Sequence, residues 1–272
     1  MSLRHAPWED AAEFVIGLKP IPVADWFEGG EDEPHRRKDA LFAARPDLVW
    51  AEVEGSRPAQ AEALGAVATA IGRPVPQEDR PPLLAAARAV ADDLCLMERR
   101  NGTWRLTALS LCAGSFFTAH AVVGRNLAEL HGPVTGFEAR LLARVTRIFD
   151  NLRPGVVLER RNWSLVSSPE LHAPHPAPMR AAISAIPAGE TADRLFTRVE
   201  RQTLRRLPET QAVLFTIRVW LTPLAALAAE PARLARFACA WRAAPPAFRA
   251  YKRLDLYDDL VASVIDAPAR PL

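Results

Sequence analysis

Apolar positions at helical spacing, mostly alanine and leucine, predict two helices over residues 57–72 and 80–94, parted by the Pro-rich piece from Arg73 to Pro82. Residues 36–52 also read as helix, broken at Pro46. The first 35 residues, with Pro7, Pro20, Pro22, Gly29, Gly30 and Pro34, read as irregular chain wrapped over a surface. At Leu94 the pattern changes. Leu94–Arg99 and Trp104–Cys112 have strand character and flank Asn101-Gly102, a dipeptide that tolerates positive φ at both positions and so predicts a tight hairpin. Helical spacing returns over Phe117–Leu130 and Phe137–Leu152. A strand is predicted over Val156–Val166, a loop over 167–194, and two more strands over Phe196–Leu207 and Ala212–Leu221. The tail, 230–264, is helical and interrupted at Pro245-Pro246. Two strands, then helices, then three strands, with hairpin connections inside each group, predict one antiparallel sheet with intervening helices: an α+β fold and not a doubly wound parallel one.

Alternation along the last two strands assigns faces. Val213, Phe215, Ile217, Val219 and Leu221 share one face of theirs, and Thr216, Arg218 and Trp220 the other. In the strand before it, Arg198, Glu200, Gln202 and Arg206 share one face, and Val199, Arg201, Thr203, Arg205 and Leu207 the opposite one. Both faces of that strand carry polar groups, which is not how a strand lying on plain apolar core reads.

Composition changes this picture little. With 272 residues, 49% hydrophobic and 24% charged, the chain can bury a sizeable core without disulfides or a structural metal. A net charge of +2 gives no strong field for nucleic acid or an anionic membrane. Three scattered cysteines, Cys95, Cys112 and Cys239, form no Cys-x-x-Cys pair and fit buried thiols in a reducing compartment. Met1–Trp8 does not resemble a signal peptide, and no apolar run approaches the roughly 18 residues of a membrane span. A cytoplasmic protein is expected.

No Gly-x-Gly-x-x-Gly, P-loop, Gly-x-Ser-x-Gly or His-Glu-x-x-His motif is present. His172-x-x-His175 lies in a Pro-rich loop with no third ligand at matched spacing and reads as two solvated histidines. His131 ends a predicted helix just before Gly132-Pro133. It is either a residue favoured there by the helix dipole or an iron ligand presented at a helix end. His120, at the start of the same helix, reads as an exposed polar residue. The charge-dense segment Arg198–Pro208 has three readings: a solvated edge strand, a phosphate site that the low net charge disfavours, or a buried network around an anionic cofactor such as a haem with its two propionates.

Taken in order, several segments are familiar. They are Gly17-Leu-Lys-Pro20, Asp93–Arg100, Trp104–Thr107, Gly124-Arg125, His131-x-Pro133-Val134-x-Gly136, Arg160–Leu165, Arg198–Pro208 with Val213–Arg218, and Tyr251-Lys252. Together they resemble the α subunit of haem-dependent oxidative N-demethylase. The resemblance implies a PAS-like fold, an antiparallel sheet with helices between its second and third strands. It also implies one haem-binding domain over 1–272, with a helical N-terminal extension (1–90), a PAS-like core (91–228) and a helical tail (229–272). The chain departs from the family pattern at Gly114-Ser-Phe-Phe117, where Pro-Ser-x-Trp is expected, and at Val134-Thr-Gly-Phe137, where Val-Pro-Gly-Tyr is expected. Both departures bear on the substrate more than on the fold.

The implied activity is NADPH-driven oxidation of dimethylamine by O₂ at a b-type haem, giving methylamine and formaldehyde. His131 is then the axial ligand. Such a site needs a carboxylate for the cationic amine, for which Glu200 is the candidate, and polar groups to orient it, for which Asn162 and Gln202 are candidates. Arg198, Arg205 and Arg218 are candidates for the propionates or bound oxygen. The chain has no flavin or nicotinamide fingerprint and too few cysteines for an iron–sulfur cluster, so its electrons must come from elsewhere. The family implies partner subunits carrying flavin mononucleotide and a [2Fe–2S] cluster, and a tetrahydrofolate-binding subunit. A haem-binding sensor or interaction module without turnover is the alternative.

Overall fold

The computed structural model describes residues 5–9, 17–29, 33–132, 139–187 and 189–267. Its strands are β1 (Lys19–Ile21), β2 (Trp50–Glu52), β3 (Asp93–Arg100), β4 (Thr103–Ser110), β5 (Val157–Val166), β6 (Phe196–Arg206) and β7 (Val213–Pro223). They form one seven-stranded antiparallel sheet in the order β1-β5-β6-β7-β3-β4-β2. The five long strands are those the sequence predicts, and the helices between the second and third of them follow the PAS-like plan.

The β3–β4 turn is the one the Asn-Gly signal demands, with φ of 51° at Asn101 and 77° at Gly102. A bulge interrupts this hairpin between Leu96 and Met97: Leu96 pairs with Ala108 and Met97 with Leu106, leaving Thr107 as the extra residue. The predicted helix over 117–130 is two short helices, Ala119–Val122 and Leu127–His131. Gly124, at φ 80°, turns the chain between them. There residues 124–126 pair with β4 through Gly124 N–H to the Leu106 carbonyl (2.7 Å) and Leu106 N–H to the Arg125 carbonyl (3.0 Å). Strand hydrogen bonding overrides the helical pattern at that point. The predicted 167–194 loop contains a helix, Pro176–Ser184, with proline in its first turn.

The chain divides into two compact units. The larger holds the described parts of Leu18–Arg160 and Arg201–Arg218. Its stretch of sheet buries apolar residues on both faces. On the back face, Leu94, Leu96, Ala108, Leu207 and Leu214 pack with Trp26 and with the helices Arg57–Ala70 and Pro82–Ala89. On the front face, Cys95, Met97, Leu106, Leu109, Leu204 and Val213 pack beneath the helices Ala119–Val122, Leu127–His131 and Ala139–Asn151. Val213 and Met97 pair directly, as do Leu214 and Leu96, so the faces alternate across the β3–β7 ladder as pleating requires.

The smaller unit holds the described parts of Met1–Gly17, Arg161–Glu200 and Val219–Leu272. Its core is aromatic. The Trp163 ring centroid lies 5.7 Å from Trp8, 6.0 Å from Phe237 and 5.5 Å from Phe248, in edge-on or tilted contacts. Leu195, Leu224, Leu227, Leu254 and Val261 complete it, and the helix Pro231–Ala243 contributes Phe237 and Trp241.

Candidate functional site

Back-face polarity in the larger unit explains why β6 does not read as an ordinary core strand. Arg201 is among the largest fully buried side chains. Its Nε donates to the Glu159 carboxylate, Nη1 to the Trp26 carbonyl (2.8 Å) and Nη2 to the Asp25 carbonyl, so one guanidinium ties residues 25–26 to β5. Glu28 adds a second carboxylate 3.3 Å from Nε. Beside it, Trp26 Nε1–H donates to Thr203 Oγ1 (2.9 Å), which shares a 2.7 Å hydrogen bond with Thr216 Oγ1. Thr216 in turn donates to Asp92 Oδ1 (3.4 Å). Tryptophan can only donate, so the chain of donors runs one way, from Trp26 toward the Asp92 carboxylate. Burial pushes the Asp92 carboxyl up to about 6, against the attraction of Arg218, Lys38 and Arg201. Lys38, itself buried, donates to the Val90 and Asp92 carbonyls.

Arg205 and Arg218, expected to line a cofactor, belong to this back face. The Arg205 guanidinium stacks 4.5 Å above the Trp26 ring, and Arg218 lies in the field of Asp92 and His35. Neither is on the face that carries His131. Alternation alone could not decide this, because the outcome depends on which helices cover which face.

The front face differs. Its central strands bear Leu158 and Arg160 on β5, Gln202 on β6, and Phe215 and Ile217 on β7, all half-buried. The back-face residues that alternate with them, Val157, Glu159, Arg201, Thr203, Leu214, Thr216 and Arg218, are all buried. Buried Leu204, Val213 and Met97 close the front face at one end. A sheet face that is covered at one end and half-open along its middle, with an apolar floor and two polar residues, has the character of a ligand cleft.

His131 overhangs this face from the end of a five-residue helix. So short a helix has little stability of its own. A capping box holds it: Asn126 Oδ1 accepts from Glu129 N–H (3.0 Å) and Glu129 Oε2 from Asn126 N–H (2.7 Å). The His131 Nδ1 lies 2.7 Å from the Leu127 carbonyl oxygen, one turn back. A carbonyl can only accept, so the ring carries a proton on Nδ1 and its basic nitrogen is Nε2. Burial holds the imidazole below its ordinary range. The Leu127 hydrogen bond opposes that shift, and the charge of Arg160 adds to it. A neutral imidazole whose Nδ1–H is fixed by a backbone carbonyl is what an iron ligand requires. Pro133, Val134, Gly136 and Phe137, the rest of this sequence motif, lie outside the described residues.

The other departure from the family pattern, Gly114–Phe117, is an anchored loop. Asp93 accepts from the Cys112 and Ala113 N–H groups at 2.7 Å each. A Cβ on Gly114 would fall 2.9 Å from Leu111 Cγ, so a side chain there would force a shift.

The remaining candidates lie in the smaller unit, except Gln202. Arg198 Nη2 is 3.2 Å from Glu200 Oε1, and Asn162 Nδ2 is 3.5 Å from Glu200 Oε2. The expected amine-binding carboxylate thus has an arginine and an amide against it. Among the described residues no group of three or more His, Cys, Asp or Glu is placed to hold a metal ion, a requirement that a single histidine axial to a haem does not share. No described helix is long and apolar enough to cross a membrane.

The described residues thus form an antiparallel α+β sheet with a half-open face, overhung by one helix-end histidine whose Nδ1 is held by a backbone carbonyl. The chain belongs to the haem-dependent oxidative N-demethylase, alpha subunit-like family, whose model matches residues 40–262. The family description indicates haem dependence and an oxidative enzyme, and an alpha subunit implies further subunits.

Proposed function

We propose that this chain holds a b-type haem on the front face through His131 and oxidises a methyl group of a small secondary amine, dimethylamine being the type substrate. The carrying observation is the His131–Leu127 hydrogen bond in front of a half-open apolar floor. The residues fit the cofactor: Nε2 offers the lone pair, and Leu158, Phe215 and Ile217 offer a surface for a flat apolar ring. Bound haem supplies the reductive activation of O₂ that oxidation of a C–H bond needs. The balance is dimethylamine, O₂, two electrons and two protons giving methylamine, formaldehyde and water. The chain's own part is to fix the imidazole tautomer, exclude water from the floor and receive the ammonium. For the last we assign Glu200, oriented by Asn162, with Gln202 supplying a further polar contact to the substrate. The electrons come from NADPH through partner subunits with flavin mononucleotide and a [2Fe–2S] cluster, and a tetrahydrofolate-binding subunit takes up the formaldehyde. A reducing cytoplasm suits the three thiols.

Titration with ferric haem tests the reading. The wild-type chain develops a Soret band with one equivalent, His131→Ala loses it, and His120→Ala keeps it. Supplied with a reductase, the loaded protein releases formaldehyde from dimethylamine. A wild-type chain with no Soret band overturns the proposal.

A further inference from the structure

Arg160 opens the Arg160–Leu165 segment but is given no role there; it lies among the half-buried residues of the front-face floor in the larger unit, whereas Arg206, on the same face of β6, is taken by the Phe149 carbonyl and the Trp104 ring. We infer that Arg160 is the anion-binding end of the front-face cleft and pairs with a carboxylate at the edge of the bound cofactor. The inference rests on the haem reading above.

Two observations carry it. First, pleating places Arg160 on the same face as Leu158, which packs with the front-face cluster, while Glu159 between them points to the back face and is taken by Arg201. Second, of the half-buried floor residues Leu158, Arg160, Gln202, Phe215 and Ile217, three are apolar, one is a neutral amide and one is charged. A flat cofactor that is apolar over most of its area and carboxylated at one edge matches that distribution, its ring over the apolar residues and its anion at the guanidinium. Arg205 and Arg218 cannot serve there because both lie on the opposite face, at Trp26 and Asp92. A guanidinium suits the task because it stays charged and meets a carboxylate with paired donors.

The test separates the anion from the ring. Affinities of wild type, Arg160→Gln, Arg160→Lys and an exposed control, Arg147→Gln, are measured by Soret titration with ferric haem and with its dimethyl ester, which lacks both carboxylates. A charge-assisted hydrogen bond predicts that Arg160→Gln binds haem roughly tenfold to a hundredfold more weakly while its ester affinity equals that of wild type. Arg160→Lys recovers part of the loss, and Arg147→Gln changes neither. The assignment is overturned if Arg160→Gln leaves haem affinity unchanged, or weakens haem and ester equally, since that would mean the residue only supports the fold around His131. Wild type that binds haem through His131 under either result leaves the haem reading standing. Wild type that binds neither form removes both.

Discussion

Asp92 offers the sharpest quantitative test of the back-face network. The perturbation is Asp92→Asn, which keeps the side-chain shape and the oxygen that accepts from Thr216 but removes the charge. In the folded chain burial raises the Asp92 carboxyl from its ordinary 3.8 to about 6. A folded-state value above the unfolded one means that the native state binds the proton more tightly. The resulting stability is fully present below about pH 4 and is lost as pH rises through about 6. The displacement from 3.8 to about 6 corresponds to roughly 3 kcal/mol lost on going to neutral pH. Asparagine has no proton to lose. It does have a pH-independent cost, because an amide now faces Arg218 and Lys38, and that cost cancels when one variant is compared with itself at two pH values. Urea unfolding of both proteins at about pH 4.5, 5.5 and 7.5, followed by tryptophan fluorescence, should show the wild type losing stability relative to Asp92→Asn by about 2 kcal/mol over that interval. Parallel curves, with a constant difference at all three values, would show that Asp92 is ionised as easily in the fold as out of it. The one-way donor chain from Trp26 would then end on an ordinary carboxylate.

Arg201→Met should cost about 3–5 kcal/mol in the same assay, because Glu159 stays buried without its main cation and the Asp25 and Trp26 carbonyls lose their donors. Adding Glu159→Leu should recover much of that loss, and a double variant no more stable than the single would contradict it. Glu200→Gln should leave the Soret titration unchanged but raise the apparent KM for dimethylamine, since Arg198 and Asn162 would remain without the charge an ammonium needs. Unaltered kinetics would reduce Glu200 to an ion-pair partner of Arg198.

The long strands and the β3–β4 turn could be read from the sequence because their signals are local: alternation, and a dipeptide permitting two positive φ values. β1 and β2 could not, being three residues each and held only by partners far along the chain, such as Lys19 opposite Glu159 and Trp50 opposite Ser110. The split of the predicted 117–130 helix likewise depends on β4, with Gly124 the one local hint. The helix-end position of His131 could be read from the Gly132-Pro133 that follows it. Its Leu127 contact follows from helical spacing once the helix is known. Arg160 could not, because alternation gives relative faces and only the packing of remote helices says which face stays open. For the same reason Arg205 and Arg218 looked as eligible as any other arginine. The density of charge in β6 was plain, but Arg201's carboxylate lies on another strand, at Glu159.

Both edge strands of the sheet come from the first 52 residues. β1 covers the outer rim of β5, while β2 and then Val53 cover β4 as far as the bulged Thr107, where residues 124–126 take over. Each rim therefore ends in a strand too short to template another chain, which is how soluble sheets avoid stacking edge to edge. The irregular N-terminal stretch is thus a seal on the sheet and not a dispensable appendage. A chain begun after Glu52 would carry the long strands β4 and β5 as bare rims and would also lose Trp26, Lys38 and the carbonyls that hold Arg201, so exposed edges and a weakened back-face core would drive its aggregation together.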